Sequence, residues 1–304
     1  MAALAPPQIP DWEPPADVHE ARRSWEAHVA RWLNTDLPEI GALHEDVALG
    51  AGLTADIMVP KGRPPFPVVL YLHGGGWAFG SARSVRKIGM TFAARGIVAV
   101  LLNYRLAPEH PFPAALDDIS TAIRWLGVHA AAYGGKTDRI AIGGDSSGAN
   151  LALAAAIRGP DDLRQRLSAL LLLYGVYDLA GALERAHHHP GLVAQVRNYI
   201  GERPISDPLV SPLFARFPPL PHCFLLEGGA DAFVSGEAAA LARALTTAGI
   251  GHELRIVPDM PHAFLQRFDL DGCATGWRAM IDFLSGSGGT ARTPTAGSRS
   301  RSGR

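Results

Sequence analysis

Residues 140–150 read IAIGGDSSGAN. The apolar run Ile140-Ala141-Ile142 meets Gly144-Asp145-Ser146-Ser147-Gly148, and Asn150 to Ile157 then carries helical spacing. G-x-S-x-G is a short pattern, but between a strand and a helix it describes a tight turn that lifts a serine above a sheet. Small flanking residues let strand and helix approach closely. Ser146 Oγ then projects near the positive end of the following helix. A phosphate cradle is the competing use of such a turn, and no G-x-x-x-x-G-K-[ST] pattern is present to support it.

Working outward, the same rhythm recurs. After Pro67, short apolar runs (Val68–Leu72, Ile97–Leu102, 139–142, Ser168–Leu173, Cys223–Leu226 and 253–257) alternate with helical stretches. One stretch sets Leu116, Ile119, Ile123 and Leu126 on one face, and others cover 150–157, 237–247 and 274–284. Continuous apolar runs separated by helices predict a parallel sheet covered on both faces. Ahead of them, Leu43–Leu49 and Leu53–Val59 flank a glycine turn and predict an antiparallel hairpin. The expected sheet therefore has eight strands and is mostly parallel. Glu20 to Leu33 predicts a helix with Trp25, Val29, Trp32 and Leu33 on one face. Residues 179–204 are too long for a plain connection and carry Leu192, Val193, Val196 and Ile200 at helical spacing, so they predict a cap over the strand ends.

A serine hydroxyl needs a base, and the base needs an orienting carboxylate; in this architecture they follow in the order Ser, acid, His. Asp231, in Leu226-Glu227-Gly228-Gly229-Ala230-Asp231, follows the next-to-last strand, and His262, in Pro258-Asp259-Met260-Pro261-His262, follows the last. With Ser146 they leave one edge of the sheet, where open α/β sheets place their sites. Asp259 shares the histidine's own loop, Glu227 stands at the end of its strand, and His252 opens the last strand at the wrong end. Attack by Ser146 on a carbonyl would create an oxyanion that needs preorganised donors. The Ser147 N–H is one. Gly74-Gly75-Gly76, ending the third strand run, lets backbone approach with no Cβ in the way, so the N–H groups of Gly75 and Gly76 are expected as the others. His73 is expected to brace that loop.

Composition excludes other classes. The 304 residues are 47% hydrophobic and 19% charged with net charge −1, enough for a sizeable core and without a basic excess for nucleic acid. No apolar run is long enough to span a bilayer. The start has neither the basic region nor the apolar stretch of a secretory signal, and two cysteines, Cys223 and Cys273, make no disulfide framework; a cytoplasmic location is the expectation. No large apolar residue follows Leu284, so 286–304 reads as a disordered tail. His187-His188-His189 cannot converge on one metal ion from adjacent helical positions, and a solvated cap turn is expected there.

HGGGW, NYRLAPEHPFPAALDD, GDSSGAN, GGADAF and DMPHAF stand here in an order that resembles the bacterial hormone-sensitive-lipase-like (type IV) carboxylesterases, over residues 20–285. The resemblance implies an α/β-hydrolase fold over 1–285, with a small helical cap from about 1–42 and 179–204. It implies hydrolysis of short carboxylic esters through an acyl-enzyme, no cofactor, a small-molecule ester as substrate, and a homodimer through an edge strand. Ser146, Asp231 and His262 fall on its catalytic positions, and Gly75, Gly76 and Ser147 on its oxyanion donors. Ser235-Gly236 stand where the family often has an acidic pair, Ala149 replaces a glycine, and the cap insert is short. Amidase, lactonase and arylformamidase chemistry use the same machinery and stay open. Plant gibberellin receptors resemble the family but lack the histidine that His262 supplies here. Tyr104 to Glu109 is expected to form a structural Arg105–Glu109 pair near the sheet top, and Trp77, Phe79 and Phe264 to crowd the acyl side.

Overall fold

The apolar runs assemble into one eight-stranded sheet in a computed structural model that describes residues 18–185 and 190–286. The strands are β1 (Ala42–Gly50), β2 (Leu53–Val59), β3 (Phe66–Leu72), β4 (Val98–Asn103), β5 (Gly135–Asp145), β6 (Leu167–Leu173), β7 (His222–Gly228) and β8 (His252–Val257). Their order across the sheet is β1-β2-β4-β3-β5-β6-β7-β8. β1 pairs with β2, and β2 with β4, antiparallel; every later pairing is parallel. Thus the expected hairpin followed by a parallel sheet is what forms.

Topology decides where a site can lie. The step from β3 to β4 runs one way across the sheet, and the step from β4 to β5 runs back past β3. Right-handed crossovers therefore put the first connection's helix, α2 (Arg86–Ala93), on one face, and α3 (Ala114–His129) and α4 (Ser147–Arg158) on the other. β3 and β5 become neighbours whose chains leave in opposite senses, which opens a crevice at their carboxyl ends. Covered on both faces, β3, β5 and β6 bury the side chains of Val68–Leu72, Ile140–Ile142 and Ala169–Leu173.

The remaining helices are α1 (Val18–Trp32), α5 (Asp161–Arg164), α6 (Leu179–Arg185), α7 (Pro190–Ile200), α8 (Glu237–Thr247) and α9 (Asp271–Leu284). α9 returns to the face of α2, where Trp277 meets Phe92 edge-on at 4.9 Å. Cys223 and Cys273 are buried and free, and burial pushes both thiols up to about 12. No helix among the described residues is long and apolar enough to cross a membrane. The tail expected over 286–304 lies, apart from Gly286, outside the described residues, as do His187, His188 and His189.

Candidate active site

Backbone geometry sets the place of Ser146. β5 ends at Asp145, α4 begins at Ser147, and Ser146 between them holds φ 52°, ψ −118°, a conformation that is costly for a residue with a side chain. The turn is tight because β3 is pressed against it. A Cβ on Gly144 would stand 2.1 Å from Leu72 O, and one on Gly148 2.0 Å from the same oxygen. Ser146 N–H donates to Leu173 O at 3.0 Å, tying the turn to β6 as well.

The loops after β7 and β8 bring the other two residues to this turn. His262 Nε2 lies 2.9 Å from Ser146 Oγ, and His262 Nδ1 lies 2.7 Å from Asp231 Oδ2. A carboxylate only accepts, so Nδ1 carries the proton and Nε2 is left to accept the serine hydroxyl. Asp231 is buried, and its Oδ1 takes the N–H groups of Phe233 at 3.0 Å and Val234 at 3.2 Å. Burial pulls its pKa upward, but the imidazole beside it and these donors outweigh burial and hold the carboxyl below its usual value. Burial pulls His262 down, and Asp231, aided by Asp145 and Glu237, outweighs it and leaves the imidazole raised. Tyr174 and Phe233 meet the imidazole edge-on at 5.3 and 5.2 Å. The sequence rivals are elsewhere: Glu227 is occupied by the N–H groups of Gly236 and Ala238, and His252 opens β8.

The glycine loop after β3 faces the same point. Gly75, Gly76 and Trp77 have φ of 115°, 58° and 60°. Among the described residues, the N–H groups of Gly75, Gly76 and Ser147 have no protein acceptor, so they are available to a developing negative charge. His73 braces the loop as expected. Its Nδ1 lies 2.8 Å from Gly74 O, its ring stacks on Tyr104 at 4.4 Å, and Tyr104 Oη donates to His73 O at 2.7 Å. Burial pushes the His73 pKa down to about 4, so it stays neutral.

An α/β hydrolase fold model matches residues 69–266, most of the sheet together with Ser146, Asp231 and His262. The carboxylesterase NlhH of Mycobacterium tuberculosis is 34% identical over 255 residues, covering 75% of this chain and 77% of that protein. A solved esterase from the bacterial hormone-sensitive lipase family superposes with a TM-score of 0.76 at 29% identity, over 90% of this chain and 92% of the other. The chain belongs to the α/β-hydrolases, in their hormone-sensitive-lipase-like branch. An esterase of the archaeon Pyrobaculum calidifontis, 24% identical over 91% of this chain and 95% of its own, shares the fold with a TM-score of 0.83.

This α/β-hydrolase has a pocket beside Ser146. A cavity of about 190 Å3 opens over Ser146. Its walls come from α1 (Trp25, Val29), the glycine loop (Trp77, Phe79), Val85, Val176 and Phe233. Gln195 of α7 enters over Gly76. Of the aromatics expected to crowd the site, Trp77 and Phe79 line it. Phe264 does not: it is fully buried and packs against Tyr174. Val176, which lies outside every motif, and Phe233, the last residue of GGADAF, line the cavity instead. Of the residues expected in the cap, Val196 is buried, as is its neighbour on α7, Tyr199.

The expected Arg105–Glu109 pair does not form. Arg105 bonds Asp118 in the first turns of α3, with Nε 2.9 Å from Oδ1, while Glu109 receives both Nη atoms of Arg22 at 2.8 and 2.7 Å. Arg22 also donates to Ala78 O and Ala107 O at 2.7 and 2.6 Å, clamping α1 to the glycine loop. Sequence reading also missed Asp145 and Gln266, whose only signal was the Asp inside the serine motif. Among the described residues, no group of three or more His, Cys, Asp or Glu side chains could hold a metal.

Proposed function

We propose that this chain is a serine carboxylesterase of short-chain esters, with Ser146 as nucleophile, His262 as base and acid, and Asp231 as the orienting carboxylate. The observation that carries the reading is the continuous hydrogen-bonded line from Ser146 Oγ through His262 to Asp231, with distances of 2.9 and 2.7 Å.

Ser146 Oγ attacks the ester carbonyl carbon as His262 Nε2 takes the hydroxyl proton. The carbonyl oxygen becomes an oxyanion held by the N–H groups of Gly75, Gly76 and Ser147. A single such donor is worth about 10²–10³ in kcat in a well-formed site. The carbon–oxygen bond to the alcohol then breaks, and His262 returns the proton to the departing oxygen. Water repeats the sequence on the acyl-serine with His262 as base, releasing the acid and restoring Ser146. Asp231, anchored by two main-chain donors, keeps the imidazole in the tautomer that both steps need.

The apolar walls and the limited room of the cavity support small, apolar acyl groups. A cytoplasmic setting fits two buried free thiols. Pairing of two copies through an edge strand is carried from the family resemblance, and light scattering on the purified protein checks it. The test of the reading is covalent: a fluorophosphonate is expected to label Ser146 and no other residue, and Ser146→Ala to abolish both labelling and hydrolysis of p-nitrophenyl acetate. Labelling at Ser147 would overturn the assignment. A panel of esters, anilides, lactones and N-formyl aromatics separates esterase from amidase, lactonase and arylformamidase; the ester is expected to turn over fastest.

A further inference from the structure

Trp77 is the residue after the second expected oxyanion donor. Gly76 and Trp77 both hold left-handed backbone, with φ of 58° and 60°. Glycine adopts this region freely, whereas a bulky side chain pays for it in steric energy. Something outside the loop must hold Trp77 there. Its carbonyl accepts Ala107 N–H at 2.9 Å, which fixes one end. Its indole lies face to face with the ring of Tyr199, centroids 4.5 Å apart and planes 7° from parallel. The indole Nε1 and the Tyr199 hydroxyl are both buried with no hydrogen-bond partner among the described residues, so ring contact and not polar bonding joins them.

Tyr199 is well placed to act as a fixed wall. It sits near the end of the cap helix α7, its carbonyl accepts Phe112 N–H at 2.8 Å, and Phe112 meets its ring edge-on at 6.0 Å. It is buried, and it does not line the cavity. We infer that Tyr199 is a positioning residue for the oxyanion hole: by stacking on Trp77 it holds the strained Gly76–Trp77 turn and so aims the glycine N–H groups. The inference rests on the proposed roles of Gly75 and Gly76. If Trp77 relaxes to negative φ, the peptide joining it to Gly76 rotates and carries Gly76 with it. The seating of the cap and the competence of the oxyanion hole are then one property.

The test compares Tyr199→Ala, Tyr199→Leu and Tyr199→Phe with the parent enzyme on p-nitrophenyl acetate and on a trifluoromethyl ketone, whose serine adduct places an oxyanion in the hole. Tyr199→Ala is expected to lower kcat by about tenfold, less than outright loss of a donor, with KM unchanged because the residue is away from the cavity. Affinity for the trifluoromethyl ketone is expected to fall in parallel with kcat, as an effect on the transition state requires. Tyr199→Phe keeps the stacked ring and is expected to recover most of the loss. Tyr199→Leu, apolar but unable to stack, is expected not to, and the Leu–Phe contrast stands even if Tyr199→Ala does not fold. Unchanged kcat in both Tyr199→Ala and Tyr199→Leu, or a loss confined to KM, would overturn the inference. A parent enzyme insensitive to the trifluoromethyl ketone would instead overturn the oxyanion reading itself.

Discussion

The carboxylate of Asp145 accepts the main-chain N–H of Gly74 at 3.0 Å. The residue before Ser146 thereby holds the start of the glycine loop, so the turn after β5 and the loop after β3 are one unit. Tyr71 Oη donates to the same oxygen at 2.7 Å, and Gln266 Nε2 donates to the other at 2.9 Å. Gln266 follows His262 by four residues, so the loop of His262 is tied in as well.

A buried carboxylate stripped of a donor keeps its desolvation cost without compensation. Burial already raises the Asp145 pKa against the pull of its donors. Gln266→Leu is therefore expected to cost about 1–3 kcal/mol of stability and to lower kcat. Asp145→Asn is expected to be milder, since the Gln266 amide can turn over and accept from the new amide. Urea denaturation with initial rates on p-nitrophenyl acetate checks both; the reverse ranking would contradict this account.

His262 must be neutral to take the serine proton, and its pKa is raised above the ordinary 6.5. Activity should therefore fall as pH drops through a midpoint above that value. Asp231→Asn removes the charge that lifts the imidazole and leaves burial, which lowers it. The variant's midpoint is expected to move to lower pH, with kcat reduced on the order of 10⁴-fold because the tautomer is lost. A pH profile of kcat/KM for both proteins decides; an unmoved midpoint would remove Asp231 from the relay.

Gly148 offers a contest of magnitudes. Alanine in a helix is ordinarily favoured over glycine by about 1 kcal/mol. Here the added Cβ would stand 2.0 Å from Leu72 O and 2.8 Å from His73 O, both backbone atoms. Overpacking of that kind costs about 1–3 kcal/mol and should win. Gly148→Ala is expected to lose stability and activity together; a more stable variant would show that β3 can retreat.

Acyl length reads the cavity. Each methylene received by an apolar wall gains about 0.8 kcal/mol, close to fourfold in kcat/KM. Gain stops where the walls of Trp25, Val29, Phe79, Val85 and Phe233 close. A series of p-nitrophenyl esters below micelle concentration is expected to peak between acetate and hexanoate, and Trp25→Ala to shift the peak to longer acids. A peak at decanoate or beyond would mean an open tunnel.

Sequence alone was enough for most of the elements and for setting Ser146, Asp231 and His262 at strand ends. Strand runs are legible because burial on both faces demands unbroken apolar stretches, and β2 and α8 begin and end where periodicity puts them. The relay is legible because each member leaves a carboxyl strand end, a position set by local turns. Two helices escaped, the one-turn α5 and α2; the latter, RKIGMTFA, carries a glycine at its centre, where a Cβ would press on Met58 and Leu101. Close packing against β2 and β4 stabilises it in place of propensity. Tertiary structure decided everything that depends on which distant residues converge. Glu109 took Arg22 from 87 residues away and left Arg105 to Asp118; Asp145 found Gln266 121 residues on. Phe233 and Val176, and not Phe264, became the cavity's wall. The same is true of Tyr199 on Trp77, a ring stack joining two segments that have no shared pattern. A residue's type states what bond it can make, but only the folded path of the chain sets which partner stands within reach.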